Sequence, residues 1–219
     1  NDKLSNQLIK AGENVEEKLF GDIYFVQLNC YWNRDDRYYT KNSWHGSKKL
    51  DGGTLFTQFS HFIDTIYWTL GDIIIDSAKF KDFNHKKTTD FEDSGIVNFT
   101  LKDGGIGTLN YSTSVWNENL ESSITIIGEN GSIKIGGQYM DKVLQCTIKN
   151  YKIPKLAPIN KPNNYGSYTG SAANHQYVIE NVVKTLKGDS KITTKSCEGL
   201  KVVEIIERIY KLKKLNNDC

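Results

Sequence analysis

The first information in this 219-residue chain lies in what is scarce or missing. Proline occurs only three times, always within 151–172, and methionine once. No apolar run approaches the ~20 residues that cross a bilayer as a helix, and no secretory pattern of basic start, apolar stretch and cleavage site opens the chain. A membrane partner is therefore not expected, and a cytoplasmic location is. The four cysteines, Cys30, Cys146, Cys197 and Cys219, are scattered without a CxxC or any metal-binding spacing, so free thiols are expected and a metal site is not. Lys and Arg number 28 against 26 Asp and Glu, a net charge of +2 that provides no electrostatic footprint for nucleic acid or an anionic membrane. The one local excess, Lys211, Lys213 and Lys214, closes the last predicted helix, where cations complement the helix dipole.

Several chemical signatures are missing too. There is no P-loop, nucleophile elbow or HExxH. Gly104-Gly105-Ile106-Gly107 falls between two predicted strands, whereas a dinucleotide fingerprint needs a strand followed by a helix. No internal repeat or low-complexity tract is present. What remains, with 38% hydrophobic, 11% aromatic and 25% charged residues, has the composition of a globular protein long enough to bury a full core.

The periodicities predict an order of elements. Residues 2–18 read as a short helix, and IYFVQLNCYW (23–32) alternates as a strand does. NRDDRYYTKNSWHGSKKLDGG (33–53) has no sustained period. It is a long loop, and loops of that length in compact domains are usually functional or disordered; its many aromatics argue against disorder. Residues 54–70 form the strongest helix, with Thr54 as N-cap and Gly71 as its stop. Strands follow at 73–83, 94–101, 107–116, 123–128, 132–137 and 143–150, joined mainly by short turns. A second long loop covers 151–172. A helix capped by Ser171 then carries Val178, Ile179, Val182, Val183 and Leu186, and a last helix begins near Ser196. The expected fold is α+β: a largely antiparallel open sheet of about six strands with helices packed on one face, in a single domain over 1–219.

In helix 54–70, turning ~100° per residue, Leu55, Phe59, Phe62, Ile63, Ile66 and Leu70 share one face. Thr57, His61, Asp64 and Trp68 share the other. The spacing of His61 and Asp64 alone favours an i,i+3 pair on a solvated helix face over a general acid–base with its orienting carboxylate. The Gly52-Gly53 turn ahead of the helix offers close approach to a ligand or to another backbone. Arg34 and Arg37 suit bidentate contact with an anion such as a diphosphate, or simple pairing with Asp35 and Asp36. His175 follows the Tyr165-Gly166-Ser167-Tyr168 loop and reads equally as a surface residue. His45 and His85 have no sequence neighbours that suggest chemistry.

Taken in order, YWNRDDRYY, Trp44-His45-Gly46, Asp51-Gly52-Gly53 and His61-x-x-Asp64 resemble the C-terminal domain of the Gfo/Idh/MocA family of nicotinamide-dependent sugar oxidoreductases. The segments 92–113 and 124–137 are similar to its sheet meander, and 174–188 with 198–210 to its terminal helices. The arginine–tyrosine loop and the Gly-Gly turn most resemble dehydrogenases of UDP-N-acetyl aminosugar uronates, which oxidise the sugar C3 hydroxyl during surface-polysaccharide synthesis. The resemblance implies a substrate-binding domain whose NAD or NADP is held by an N-terminal Rossmann domain outside this chain. That domain also supplies a lysine from a Glu-Lys-Pro motif; Asn160-Lys161-Pro162 lacks the glutamate.

Carried over, His61 assists proton transfer at the sugar hydroxyl and Asp64 holds it. Arg34, Tyr38, Tyr39, Thr57, Gln58 and Tyr165 contact the nucleotide sugar. Thr57 departs from the aspartate of many relatives, and Phe59 from their glycine, while Gln58 fits the nucleotide-sugar subgroup. The fragment alone is expected to be inactive, to bind no cofactor and to self-associate through its sheet. The alternative is a non-enzymatic carbohydrate-binding or self-association module.

Overall fold

The computed structural model describes residues 6–40, 43–138, 140–154, 163–164, 169–170, 175–193 and 195–215. Helix α1 (Asn6–Glu16) leads into strand β1 (Ile23–Tyr31). Three helical pieces follow, α2 (Lys48–Asp51), α3 (Thr54–Thr57) and α4 (Ser60–Leu70). Strands β2 (Ile73–Lys81), β3 (Ser94–Leu101), β4 (Ile106–Ser112), β5 (Glu121–Gly128), β6 (Gly131–Gly136) and β7 (Lys142–Ile148) complete the main sheet. A two-residue pairing, β8 (Asn163–Asn164) with β9 (Thr169–Gly170), precedes helices α5 (His175–Leu186) and α6 (Ser196–Leu215).

The sheet has seven strands in the order β2-β3-β4-β1-β5-β6-β7, one more than the approximate count expected. β1 lies parallel to β4, with Leu28 opposite Leu109, and every other neighbouring pair is antiparallel. Alternation sorts the two faces. Val26, Leu28 and Cys30 of β1, Val97 and Phe99 of β3, Leu109 and Tyr111 of β4 and Ile124 and Ile126 of β5 all point into one core. Helices α1, α4 and α6 cover that face, contributing Ala11, Phe62, Ile63, Ile66, Val202, Ile205, Ile206 and Ile209. Each such large apolar side chain stabilises the fold by about 1.5–3 kcal/mol relative to exposure. Among the described residues no helix covers the other face: Asn110 donates to Asn29 at 3.0 Å there, and Ile74, Ile96, Ile106 and Ile127 are exposed.

Several expectations need correction. The helix over 54–70 is broken in two, because the chain leaves helical geometry at Phe59 (φ −117°, ψ 8°) and restarts at Ser60. Phe59 thereby drops wholly into the core against Trp32, Phe62 and Tyr111. Thr54 is no N-cap; Gly53 takes that position, and the Thr54 hydroxyl is buried, donating to the Glu92 carbonyl. Gly71 does end α4, at φ 79°. Trp68, on the helix side shared with His61 and Asp64, lays its ring against α1, so close that a Cβ on Gly12 would meet it at 2.4 Å. Most different is α5, whose apolar residues face solvent, with Ile179 65% and Leu186 82% exposed. Its polar side is anchored instead, Asn181 donating to the Lys191 carbonyl and accepting from the Thr193 amide at 3.0 Å. Among the described residues Cys30, Cys146 and Cys197 are free thiols, and no helix is long and apolar enough to cross a membrane.

Candidate functional site

His61 and Asp64 sit on one side of α4, which its Phe62, Ile63 and Ile66 hold on the sheet. Thr65 donates its hydroxyl to the His61 carbonyl at 2.8 Å, a back-bond that fastens this turn. The two residues line a cleft of about 790 Å³, together with Trp68, Asp72, Lys102 and Lys201. Asp72 is braced by the Arg208 guanidinium, which also donates to the Ile73 carbonyl at 2.8 Å. Burial alone would raise the Asp72 carboxyl, but Arg208 outweighs it and holds it below its ordinary value. The cleft therefore combines a histidine, carboxylates and ammonium groups around one opening, a set able to exchange protons with a bound polyol and to bind its hydroxyls.

The second cluster is built from the long loop. Arg34 Nε donates to Gln58 Oε1 at 2.6 Å, and Gln58 Nε2 donates to the Tyr38 hydroxyl at 2.7 Å. Tyr38 and Gln58 are 20 residues apart, yet the break between α3 and α4 brings Gln58 under the loop. Arg34 is only 6% exposed, its guanidinium lying 4.8 Å over Trp32 and 5.2 Å over Tyr38, and it also donates to the Asn33 carbonyl. Such charge-assisted bonds contribute about 1.5–3 kcal/mol each where water is excluded. Arg37 takes the plainer of its two expected roles, forming an exposed fork with Asp35 at 2.7 Å; the guanidinium keeps the Asp35 carboxyl below its usual range.

The remaining candidates are placed as follows. Thr57 donates to the buried Asp51, whose other oxygen accepts the Gly46 amide at 2.8 Å. A carboxylate thus stands beside position 57 although Thr57 is not itself an acid. Tyr39 lies deeper than Tyr38, 3% exposed and packed edge-on against His85, Phe91 and Tyr38. Burial, then the nearby Asp51 charge, pushes its hydroxyl well above the ordinary tyrosine range. Tyr165 lies outside the described residues, as do Ser171 and the Asn160–Pro162 stretch. The Gly-Gly turn admits a close neighbour, but that neighbour is Tyr210: its hydroxyl would lie 2.5 Å from a Cβ on Gly53, where φ is 129°. Tyr210 in turn donates to the buried Glu92 at 2.7 Å.

Two histidines had no signal in the sequence. His45 stacks on Trp44 at 3.9 Å and approaches Tyr38 at 4.4 Å. His85, 3% exposed, donates through Nε2 to the Arg34 carbonyl, 51 residues away along the chain. His45 falls in the Trp44-His45-Gly46 stretch, but neither ring has a sequence neighbour that suggests chemistry, and the contact from His85 to Arg34 is invisible to periodicity.

The fold is thus an open sheet backed by helices, with a histidine–aspartate helix beside a pre-ordered arginine loop. The family model described as GFO/IDH/MocA C-terminal domain matches residues 8–134, and the chain belongs to that family. It is similar to the WlbA dehydrogenase from Bordetella pertussis in complex with NADH and UDP-GlcNAcA, with 26% identity and a TM-score of 0.81 over 96% of this chain and 58% of that one. For the WlbA dehydrogenase from Chromobacterium violaceum, in complex with the same two ligands, the values are 27% and 0.80 over 98% and 59%. Levoglucosan dehydrogenase in complex with NADH and levoglucosan shares the fold, with a TM-score of 0.73 over 96% and 62% at 16% identity. Comparison with curated proteins returns no match. The chain thus spans about three fifths of the length of the solved proteins it resembles.

The family's oxidoreductase chemistry raises the question of a dinucleotide. Within the described residues the triple-glycine stretch joins antiparallel β3 to β4, with Gly104 at φ 97°, and opens no helix. Its backbone N–H groups are not gathered at a helix N-terminus, so it does not fit a diphosphate cradle.

Proposed function

We propose that this chain is the substrate-binding and oligomerisation domain of an NAD(P)-dependent sugar dehydrogenase that oxidises the C3 hydroxyl of a UDP-N-acetyl aminosugar uronate in surface-polysaccharide synthesis. The observation that carries this reading is the Arg34–Gln58–Tyr38 network, joined to α4 three residues ahead of His61. The likeness to two WlbA dehydrogenases, each in complex with UDP-GlcNAcA, supports the same substrate class. Oxidising a carbinol removes a hydroxyl proton and a hydride. This chain supplies groups for the proton: His61 accepts it, and Asp64, one turn on, favours the imidazolium that results. Arg34 and Tyr38 orient the charged end of the substrate, with Tyr165 and Thr57 as further contacts. The nicotinamide nucleotide is held elsewhere, by a domain that the exposed apolar side of α5 is suited to meet. The exposed isoleucines of the open sheet suit a second copy of the chain.

The test is to join this chain to its encoded upstream region and follow reduction of NAD or NADP with UDP-linked uronates. His61→Ala is expected to lower kcat by about 10²–10⁴-fold, and the chain alone to show no turnover. Wild-type turnover by the His61→Ala enzyme would overturn its assignment. Sugar binding with no dehydrogenation by the joined protein would favour a carbohydrate-binding module instead.

A further inference from the structure

His85 lies between two groups that can only accept hydrogen bonds. Its Nε2 meets the Arg34 carbonyl, and its Nδ1 faces Asp93 Oδ2 at 3.3 Å, an ion-pair distance. One ring N–H serves the Arg34 carbonyl; the buried Nδ1 has no hydrogen-bond geometry to Asp93 and meets it at ion-pair distance only, so Asp93 favours an imidazolium through its charge. The surroundings are built to keep that arrangement. Asp93 Oδ2 accepts the amides of Phe83 (2.9 Å) and Asn84 (2.7 Å), and its Oδ1 accepts the Ser94 hydroxyl at 2.8 Å. Asp82 accepts the His85 amide at 2.9 Å, and the Tyr39 ring closes the remaining side at 5.2 Å. On the other side of the latch, the Arg34 amide donates to the Thr113 carbonyl at 2.9 Å. The backbone of Arg34 is therefore gripped at both its N–H and its C=O, near the start of the long loop.

We propose that His85, held as an imidazolium between Asp93 and the Arg34 carbonyl, is the positioning residue of the arginine–tyrosine loop, and that the loop's hold on an anionic ligand weakens when His85 loses its proton. The charged groups facing it are Asp93, directly, and Asp82, at its backbone; both favour the charged ring. Burial alone lowers the His85 pKa, but Asp93 and the Arg34 carbonyl outweigh it, so the ring titrates above the ordinary histidine value. The sign follows. A raised folded-state pKa makes the latch fully present below the unfolded value and loses it as pH rises through the folded one. Asp93 runs the other way: its burial is outweighed by His85 and its amide donors, so its contribution is lost only in strong acid. Asp82, His85 and Asp93 also lie close enough for a cation. However, the donors already on both Asp93 oxygens compete with a metal and suit a proton on Nδ1.

The consequence for ligand binding rests on the sugar-nucleotide reading above, so the experiment separates the two. Long-range ¹⁵N NMR of the four histidines of the chain, from pH 5.5 to 9.5, is read with and without EDTA. One ring, assigned by its nuclear Overhauser contact with Tyr39, should keep both nitrogens protonated above the pH at which an ordinary histidine loses its proton. The amides of residues 34–39 should shift along that same titration, and His85→Gln should abolish it. UDP, titrated between pH 7 and 9.5, should bind about tenfold more weakly at the upper end. A singly protonated His85 at pH 6.5, loop amides indifferent to its titration, an EDTA-sensitive curve, or UDP binding that is flat with pH would each overturn the proposal. Intact loop titration without any UDP binding would support the latch and count against the sugar-nucleotide reading. The wild-type titration decides the matter even where His85→Gln does not fold.

Discussion

The loop over 33–53 and helix α5 stand in contrast. The loop has little regular structure, yet its polar groups are tied into the body of the protein through Gln58, Asp51 and His85. The helix is regular and amphipathic, yet its apolar residues stand in solvent. Regularity and integration are different properties. A helix forms from local hydrogen bonds and needs a partner only to bury its face. An irregular segment at the same depth must find a partner for every backbone and side-chain polar group, and once it has done so it is rigid.

Three substitutions probe this contrast, beginning with the largest effect. Phe59→Ala empties a site at 0% exposure beneath the loop and should cost about 3–5 kcal/mol in denaturant unfolding of the chain. A cost under about 1 kcal/mol would mean that the break between α3 and α4 is not anchored by this ring. Gln58→Leu removes one acceptor and one donor from a nearly dry network. It should cost about 1–3 kcal/mol and increase the exchange of the loop amides, measured by hydrogen exchange. An unchanged exchange pattern would remove the loop's claim to be held through Gln58. Leu186→Lys, at an 82% exposed position of α5, should alter stability by no more than about 0.5 kcal/mol in denaturant unfolding of the chain. A loss well beyond that would show α5 to be packed in solution, and the contrast would fall.

Much of the fold was legible because it is local. Alternation in 23–32 located β1, and the 3.6-residue period around Phe62, Ile63 and Ile66 located α4. The open face of the sheet and its largely antiparallel pairing also followed from strands separated by short turns. What periodicity could not provide was the parallel pairing of β1 with β4, since strand order depends on which distant segments meet. It also ran straight through Phe59, because a core phenylalanine fits a continuous apolar stripe as well as a broken one. The exposure of α5 was illegible for a related reason: an amphipathic pattern says that a helix has an apolar side, not what covers it.

The candidate site divides in the same way. His61 and Asp64 were found by spacing along one helix, and the structure places both on one cleft. Arg34, Tyr38 and Gln58 were named from the resemblance, and the structure joins them directly. Thr57 and Asp51 were not seen as a pair, and neither His45 nor His85 carried a signal. By itself the sequence determined the elements, their polar and apolar sides and the family, because each is recorded in short-range order. Only the tertiary structure decided that a carboxylate stands beside Thr57, that Tyr210 and not a ligand fills the space above Gly53, and that a buried histidine grips the arginine loop. The last two depend on contacts between residues tens to more than a hundred positions apart, and the first on a turn between α2 and α3. All of that geometry exists only once the core has closed.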